Sequence, residues 1–165
     1  STRDIAAAAD MQSGSPFYFF ASKQALLHAV MQEGMARVTV TQAATLKALG
    51  ARASAHDKLR GLIRHHFEVI LGPDSDFIPV MLYEWRSLSP EQRAEITTQK
   101  DDYEAAWSPV LRALHRSGQI KAKPDAARLL IFGALHWAVQ WYSADGPLTL
   151  DDITAQAMTL FTGEA

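Results

Sequence analysis

The 165-residue sequence predicts an all-α protein, and three observations carry that prediction. Gly and Pro recur as stops, at Gly50, Gly72-Pro73, Gly118, Lys123-Pro124 and Gly146-Pro147. Helix-start signals answer them at Ser54, Ser89 and Thr149. No stretch alternates convincingly between apolar and polar residues at period two, and β-branched residues are scattered, so no strand is expected.

Helices are expected at about 2–9, 13–19, 22–48, 55–71, 77–86, 90–117, 124–143 and 149–162. In the first pair, Ile5 with Ala8 or Ala9 gives a short apolar stripe, and Phe17 and Phe20 continue it after a tight connection. Ser22 is a good N-cap for the long third helix, whose Leu26 and Leu27 face the same core. Ser54 followed by Asp57 opens the fourth. In Ser89-Pro90-Glu91-Gln92, Ser takes the N-cap, Pro the first helical position, and Gln can return the capping bond. Thr149-Leu150-Asp151-Asp152 repeats the logic, with two carboxylates at the positive end of the helix dipole.

Composition excludes several classes. With 48% hydrophobic residues and a mean hydropathy of −0.08, the chain reads as an ordinary globular protein. No apolar run approaches the roughly 20 residues that span a bilayer, and the start lacks the pattern of a secretory signal, so cytoplasm is the expected compartment and no membrane association is expected. The absence of Cys removes disulfides, thiolate nucleophiles and zinc–thiolate sites. A net charge of −2 does not point to nucleic acid, and the formal charges between Ser1 and Val30 (Arg3, Asp4, Asp10 and Lys23) cancel.

Two short helices joined by a tight turn are compatible with a helix-turn-helix, whose second helix enters the major groove, although many helical hairpins share that pattern. The residues themselves are more specific. Thr2-Arg3-Asp4-Ile5-Ala6-Ala7-Ala8-Ala9, then Gly14-Ser15-Pro16-Phe17-Tyr18-Phe19-Phe20, then Ser22-Lys23-Gln24-Ala25-Leu26-Leu27 resemble, without gaps, the DNA-binding signature of the TetR family. The resemblance implies a homodimeric transcriptional regulator, most often a repressor, which binds a palindromic double-stranded DNA operator and responds to a small-molecule effector. It implies a helix-turn-helix domain over residues 1–45 and a helical-bundle ligand-binding and dimerisation domain over 46–165. Family members carry a further helix before the position of Thr2, so the helix-turn-helix domain is expected to be partial and N-terminally truncated.

Carried over by position, the resemblance places Thr2, Ser13, Gly14, Ser15, Phe17, Tyr18, Phe19 and Lys23 at the DNA. Ser13, Gly14 and Ser15 would approach base edges or phosphates, and Thr2 and Lys23 would hold phosphates at helix starts. Phe17 stands where the family usually has Tyr, and Phe19 where His is common. Asp10 replaces the usual turn Gly, a substitution that left-handed backbone tolerates at some cost. Pro16 is tolerable if Ser13 caps the helix, because a first-turn N–H has no intrahelical partner to lose.

Residues 124–143 leave almost no polar face. A helix apolar all round is buried on every side, here against its own core and against a partner. Gly133 and Ala134 allow close helix approach. The last helix carries Ile153, Ala157, Leu160 and Phe161 at helical spacing, widened by Ala155 and Met158. These two helices are expected to pair with a second copy as a four-helix bundle; a central core helix in a monomer is the alternative.

Between Leu59 and Tyr142 aromatics accumulate, interleaved with a few polar groups, which is the composition of an apolar small-molecule site as well as of a plain core. The expected contacts of a largely apolar effector with one polar handle are His66, Met81, Trp85, Trp107, His136 and Gln140. His65-His66 lacks a third ligand at metal-binding spacing, and no phosphate-cradling loop or nucleophile motif occurs, so no metal, cofactor or catalytic residue is expected. Two other readings stay open: an all-α ligand-binding dimer with no DNA role, and a helical enzyme using His66 or His136 with a nearby carboxylate.

Overall fold

Three of the expected helix starts close as reciprocal caps in a computed structural model, which describes residues 20–73, 75 and 77–163. Ser54 Oγ accepts from the Asp57 amide at 3.0 Å while Asp57 accepts from the Ser54 amide. Ser89 and Gln92 exchange the same two bonds, at 3.2 and 3.0 Å, as do Thr149 and Asp152, at 3.1 and 2.8 Å. Each box satisfies amides that the first turn leaves without a carbonyl. Ser22 caps the helix that begins at Lys23 through Oγ, which accepts from the Ala25 amide at 3.1 Å.

The helices are α1 (Lys23–Leu49), α2 (Ala55–Leu71), α3 (Phe77–Glu84), α4 (Pro90–Ala105), α5 (Trp107–Arg116), α6 (Pro124–Trp137) and α7 (Leu150–Thr162). Short 3-10 turns follow α3 at Trp85–Ser87 and α6 at Ala138–Gln140. The described residues contain no strand. Gly50 ends α1 at φ +84° and Gly118 follows α5 at φ +78°, a backbone region in which a Cβ would be strained.

Two elements depart from expectation. The single helix expected over 90–117 divides at Ala106, although Ala106 itself keeps helical angles (φ −60°, ψ −24°). Pro109 is the reason: it has no N–H for the carbonyl four residues earlier, and its ring crowds that carbonyl. Pro109 then lies in the first turn of α5, where the missing donor costs nothing. The helix expected to reach residue 143 stops at Trp137 and tightens into its 3-10 turn; Trp141, at φ −129°, is outside it.

The described residues form two compact units, the first within Ser1–Thr39 and Asp74–Tyr103 and the second within Val40–Pro73 and Glu104–Ala165. In the first unit, α1 buries Leu26, Leu27, Val30, Met31, Met35 and Val38. Gly34 lets the Phe77 ring lie on the α1 backbone, since a Cβ there would sit inside 3.0 Å of three ring carbons. Leu88, Ile96 and Tyr103 complete the buried apolar set. Glu95 accepts from Gln32 Nε2 at 3.2 Å and lies 3.1 Å from His28 Nε2.

In the second unit α2 is the central helix and packs on α5, α6 and α7. Its buried Leu59, Leu62, Ile63, His66, Phe67 and Ile70 recur at three- and four-residue intervals, the signature of one helical face. α5 also packs on α6. Outside this core, Arg64 Nε donates to Asp151 at 2.5 Å, and Arg128 pairs with Glu104. In α7 the buried residues are Ile153, Thr154, Ala157 and Met158; Leu160, expected on that stripe, is 76% exposed.

Candidate functional site

The second unit gathers four rings from three helices. α2 contributes His66, α5 its first residue Trp107, and α6 Phe132 and His136, one turn apart on the same face. His66 stands edge-on to Phe132 at 5.0 Å between centroids and to Trp107 at 6.0 Å, and lies 5.0 Å from His136. Phe132 closes the group at 4.7 Å from Trp107 and 5.8 Å from His136. These separations are those at which aromatic quadrupoles attract. Trp107, Phe132 and His66 are buried and His136 is exposed, so the group runs from core to surface.

Burial pushes the His66 imidazole well below its usual range, and the neighbouring His136 and His65 push it further. His66 is therefore neutral at pH 7, with one donor and one acceptor nitrogen. That combination suits the polar handle of an otherwise apolar ligand. His65 is lowered by burial with Glu68 opposing, and its Nε2 lies 2.8 Å from Thr41 Oγ1.

The depressed His66 value has a consequence for stability. Its folded-state pKa lies below the unfolded value of about 6.5, so the unfolded chain binds the proton more readily. The stability associated with neutral His66 is complete above that value and is lost as pH falls from it toward the folded-state value. Melting temperature is expected to drop from pH 7.5 to 5.5, and His66→Gln to flatten that drop. Parallel pH profiles for the two proteins would refute this role.

The structure thus brings together three of the six expected ligand contacts, His66, Trp107 and His136. Gln140 is exposed at the end of the 3-10 turn after α6, and Met81 and Trp85 are half-buried residues of the first unit. Phe132 was not among the expected contacts and lies at the centre of the group; the signal available was its four-residue spacing from His136. Among the described residues, no three His, Asp or Glu side chains gather as metal ligands, and no helix is long and apolar enough to cross a membrane.

Of the expected DNA contacts, Thr2, Ser13, Gly14, Ser15, Phe17, Tyr18 and Phe19 lie outside the described residues. Lys23 is the first residue of α1, with a side chain 53% exposed. Its ammonium donates to both oxygens of Glu84, at 3.3 and 3.4 Å. Glu84 also accepts from Ser87 Oγ at 2.9 Å, and these bonds, that of Ser87 foremost, hold its carboxyl below the usual range.

The other notable surface is apolar. α6 buries Ala127, Ile131, Phe132 and Leu135 and turns Leu129, Leu130 and Trp137 outward, the last 66% exposed. A Cβ on Gly133 would meet nothing within 4 Å. Exposed Trp141 follows on the adjoining segment, and Leu160 of α7 belongs to the same unit.

Residues 52–164 match the family described as tetracyclin repressor-like, C-terminal domain. No curated protein matches the chain. Among solved structures, the superantigen PfiT is 33% identical, with a TM-score of 0.79 over 100% of this chain and 86% of its own. AibR, solved with isovaleryl coenzyme A and operator DNA, shares the fold at 24% identity and a TM-score of 0.78, over 100% of this chain and 88% of its own. PfmR, a TetR family transcriptional regulator from Thermus thermophilus, does so at 21% identity and a TM-score of 0.79, over 99% and 87%. The all-helical architecture, the sequence signature from Thr2 to Leu27 and the match over residues 52–164 agree, and the chain belongs to the TetR family of transcriptional regulators.

Proposed function

We propose that this chain is a ligand-responsive repressor that binds a palindromic operator as a homodimer and is released by a small, largely apolar effector. Membership of a family of transcriptional regulators is the observation that carries the reading. Residues 1–45 are the DNA-reading part, with Thr2, Ser13, Gly14, Ser15, Phe17, Tyr18, Phe19 and Lys23 at the duplex. Residues 46–165 bind the effector and dimerise. The two copies address two half-sites, whose spacing the dimer sets.

The effector is held by His66, Trp107 and His136, with Gln140 of the same unit. A neutral His66 among aromatic rings supports an apolar body with one hydrogen-bonding group. AibR supports the combination, since its fold was solved holding a small molecule and operator DNA. Release requires that the effector bind the DNA-free arrangement more tightly than the DNA-bound one.

A full-length preparation is expected to shift DNA from its own upstream region at low salt. Within that assay Lys23→Ala is expected to weaken binding across sequences and to flatten the slope of log K against log salt by about 0.9 per subunit. Absence of any shift at low salt removes the repressor reading; a shift with an unchanged slope removes Lys23 from the phosphate contacts. The second reading, a ligand-binding dimer with no DNA role, is favoured by the cancelling charges between Ser1 and Val30, and the same assay decides between them.

A further inference from the structure

The helix that supplies Trp107 has a second lined side. Ala106, Pro109, Val110 and Ala113 of this segment border a groove of about 650 Å³ closed by the end of α1 and the start of α2. That volume lies within the roughly 300–1,000 Å³ of small-molecule sites. The groove exists because its walls are short: Ala55 and Ala113 leave room over Leu46 and Val110, and a Cβ on Gly50 would meet nothing within 4 Å. No residue of the aromatic cluster lines it.

Its charge is one-sided. Lys47 and Lys58 line the groove, Lys47 exposed and Lys58 half-buried. From Leu46 to Arg60 the chain carries Lys47, Arg52, Lys58 and Arg60 against Asp57 alone. Asp57 is committed to the Ser54 cap, with its oxygen 2.6 Å from Ser54 Oγ. Trp107–Arg116 adds Arg112 and Arg116 and no acid. This surplus occurs in a chain whose net charge is −2. Lysine stems extend apolar walls while their ammoniums stay in water, so one groove presents an aliphatic floor and cationic margins.

We propose that this groove is a binding site for a single-chain anionic amphiphile, with its hydrocarbon over Leu46 and Val110 and its carboxylate or phosphate on Lys47 and Lys58. The concave shape commits it to a free molecule rather than a membrane surface. A neutral chain would forgo charge-assisted bonds to two ammoniums, and a cation would be repelled. The site stands independently of DNA binding.

Calorimetric titration with decyl phosphate, decanol, decyltrimethylammonium and inorganic phosphate, each below its micelle threshold, tests this. Decyl phosphate is expected to bind at least tenfold more tightly than the other three and to perturb the methyl resonances of Ala55, Ala106 and Ala113. The variant K47Q/K58Q, which changes two side chains outside the core, is expected to lose at least tenfold in decyl phosphate affinity with an unchanged melting temperature. Ala113→Leu, which fills the groove, should weaken binding too. Equal binding of decanol or of inorganic phosphate, full affinity in K47Q/K58Q, or binding to phosphatidylglycerol vesicles without binding of free decyl phosphate would each overturn the proposal.

Discussion

Replacing Trp107 by alanine is expected to cost about 3–5 kcal/mol of stability, the largest effect of any single truncation in the second unit. Its side chain is fully buried, at 0% exposure, and is the largest so placed. It touches the rings of Phe132 at 4.7 Å and His66 at 6.0 Å, so truncation leaves a cavity bounded by stiff aromatic walls that cannot collapse into it. It also opens α5 at a point where Ala106 supplies no side-chain cap, so packing rather than capping fixes the start of that helix. Against a total stability of about 5–15 kcal/mol, the melting temperature should fall on the order of 10 °C. Trp107→Phe, which keeps a ring in place, should fall much less. A loss below about 1 kcal/mol for the alanine variant would mean that the ring group does not organise this core.

The second large effect is expected at the outward face of α6. Leu130→Glu with Trp137→Glu should convert the proposed dimer to monomer while leaving each protomer folded, because both side chains are exposed in the single chain. In a two-fold interface each substitution appears twice, on facing copies, so every introduced carboxylate is brought toward others. Large anchors in such interfaces cost about 2 kcal/mol or more when lost. Two of them correspond to a dissociation constant raised on the order of a thousandfold. Sedimentation equilibrium reads this directly. A wild-type protein that is monomeric at tens of micromolar, or a double variant that stays dimeric, would place the interface elsewhere or remove it.

What the sequence made legible was local. The caps at Ser54, Ser89 and Thr149 close between residues three apart, so the residue types alone specify them. The break at Ala106 was equally local but was masked: apolar periodicity continues through Trp107, Val110 and Leu111, and Pro109 acts on a carbonyl four residues upstream. The apolar character of α6 was plain, whereas which half of it meets the chain's own core depends on how α2 and α5 pack against it. The same holds for Leu160, whose spacing fits a core stripe that Thr154 shares in its place. His66, Trp107 and His136 are polar or aromatic residues on separate helices, and their meeting at Phe132 is a property of tertiary structure. Nothing in composition or spacing links Lys23 with Glu84, 61 residues away.

The interruption at Ala106 also sets an order of exposure to solvent protons. α4 buries Ile96 and Tyr103 among its 16 residues, while α5 buries Trp107, Val110, Leu111 and Leu114 among 10. Amide protons exchange when their helix opens, and opening is cheaper where less apolar surface is released. With no hydrogen bond from Pro109 to join the two ladders, fraying that starts in α4 has no reason to propagate past residue 106. Deuterium uptake should therefore step down sharply between the amides of α4 and those of α5, two neighbouring stretches that the sequence reads as one helix.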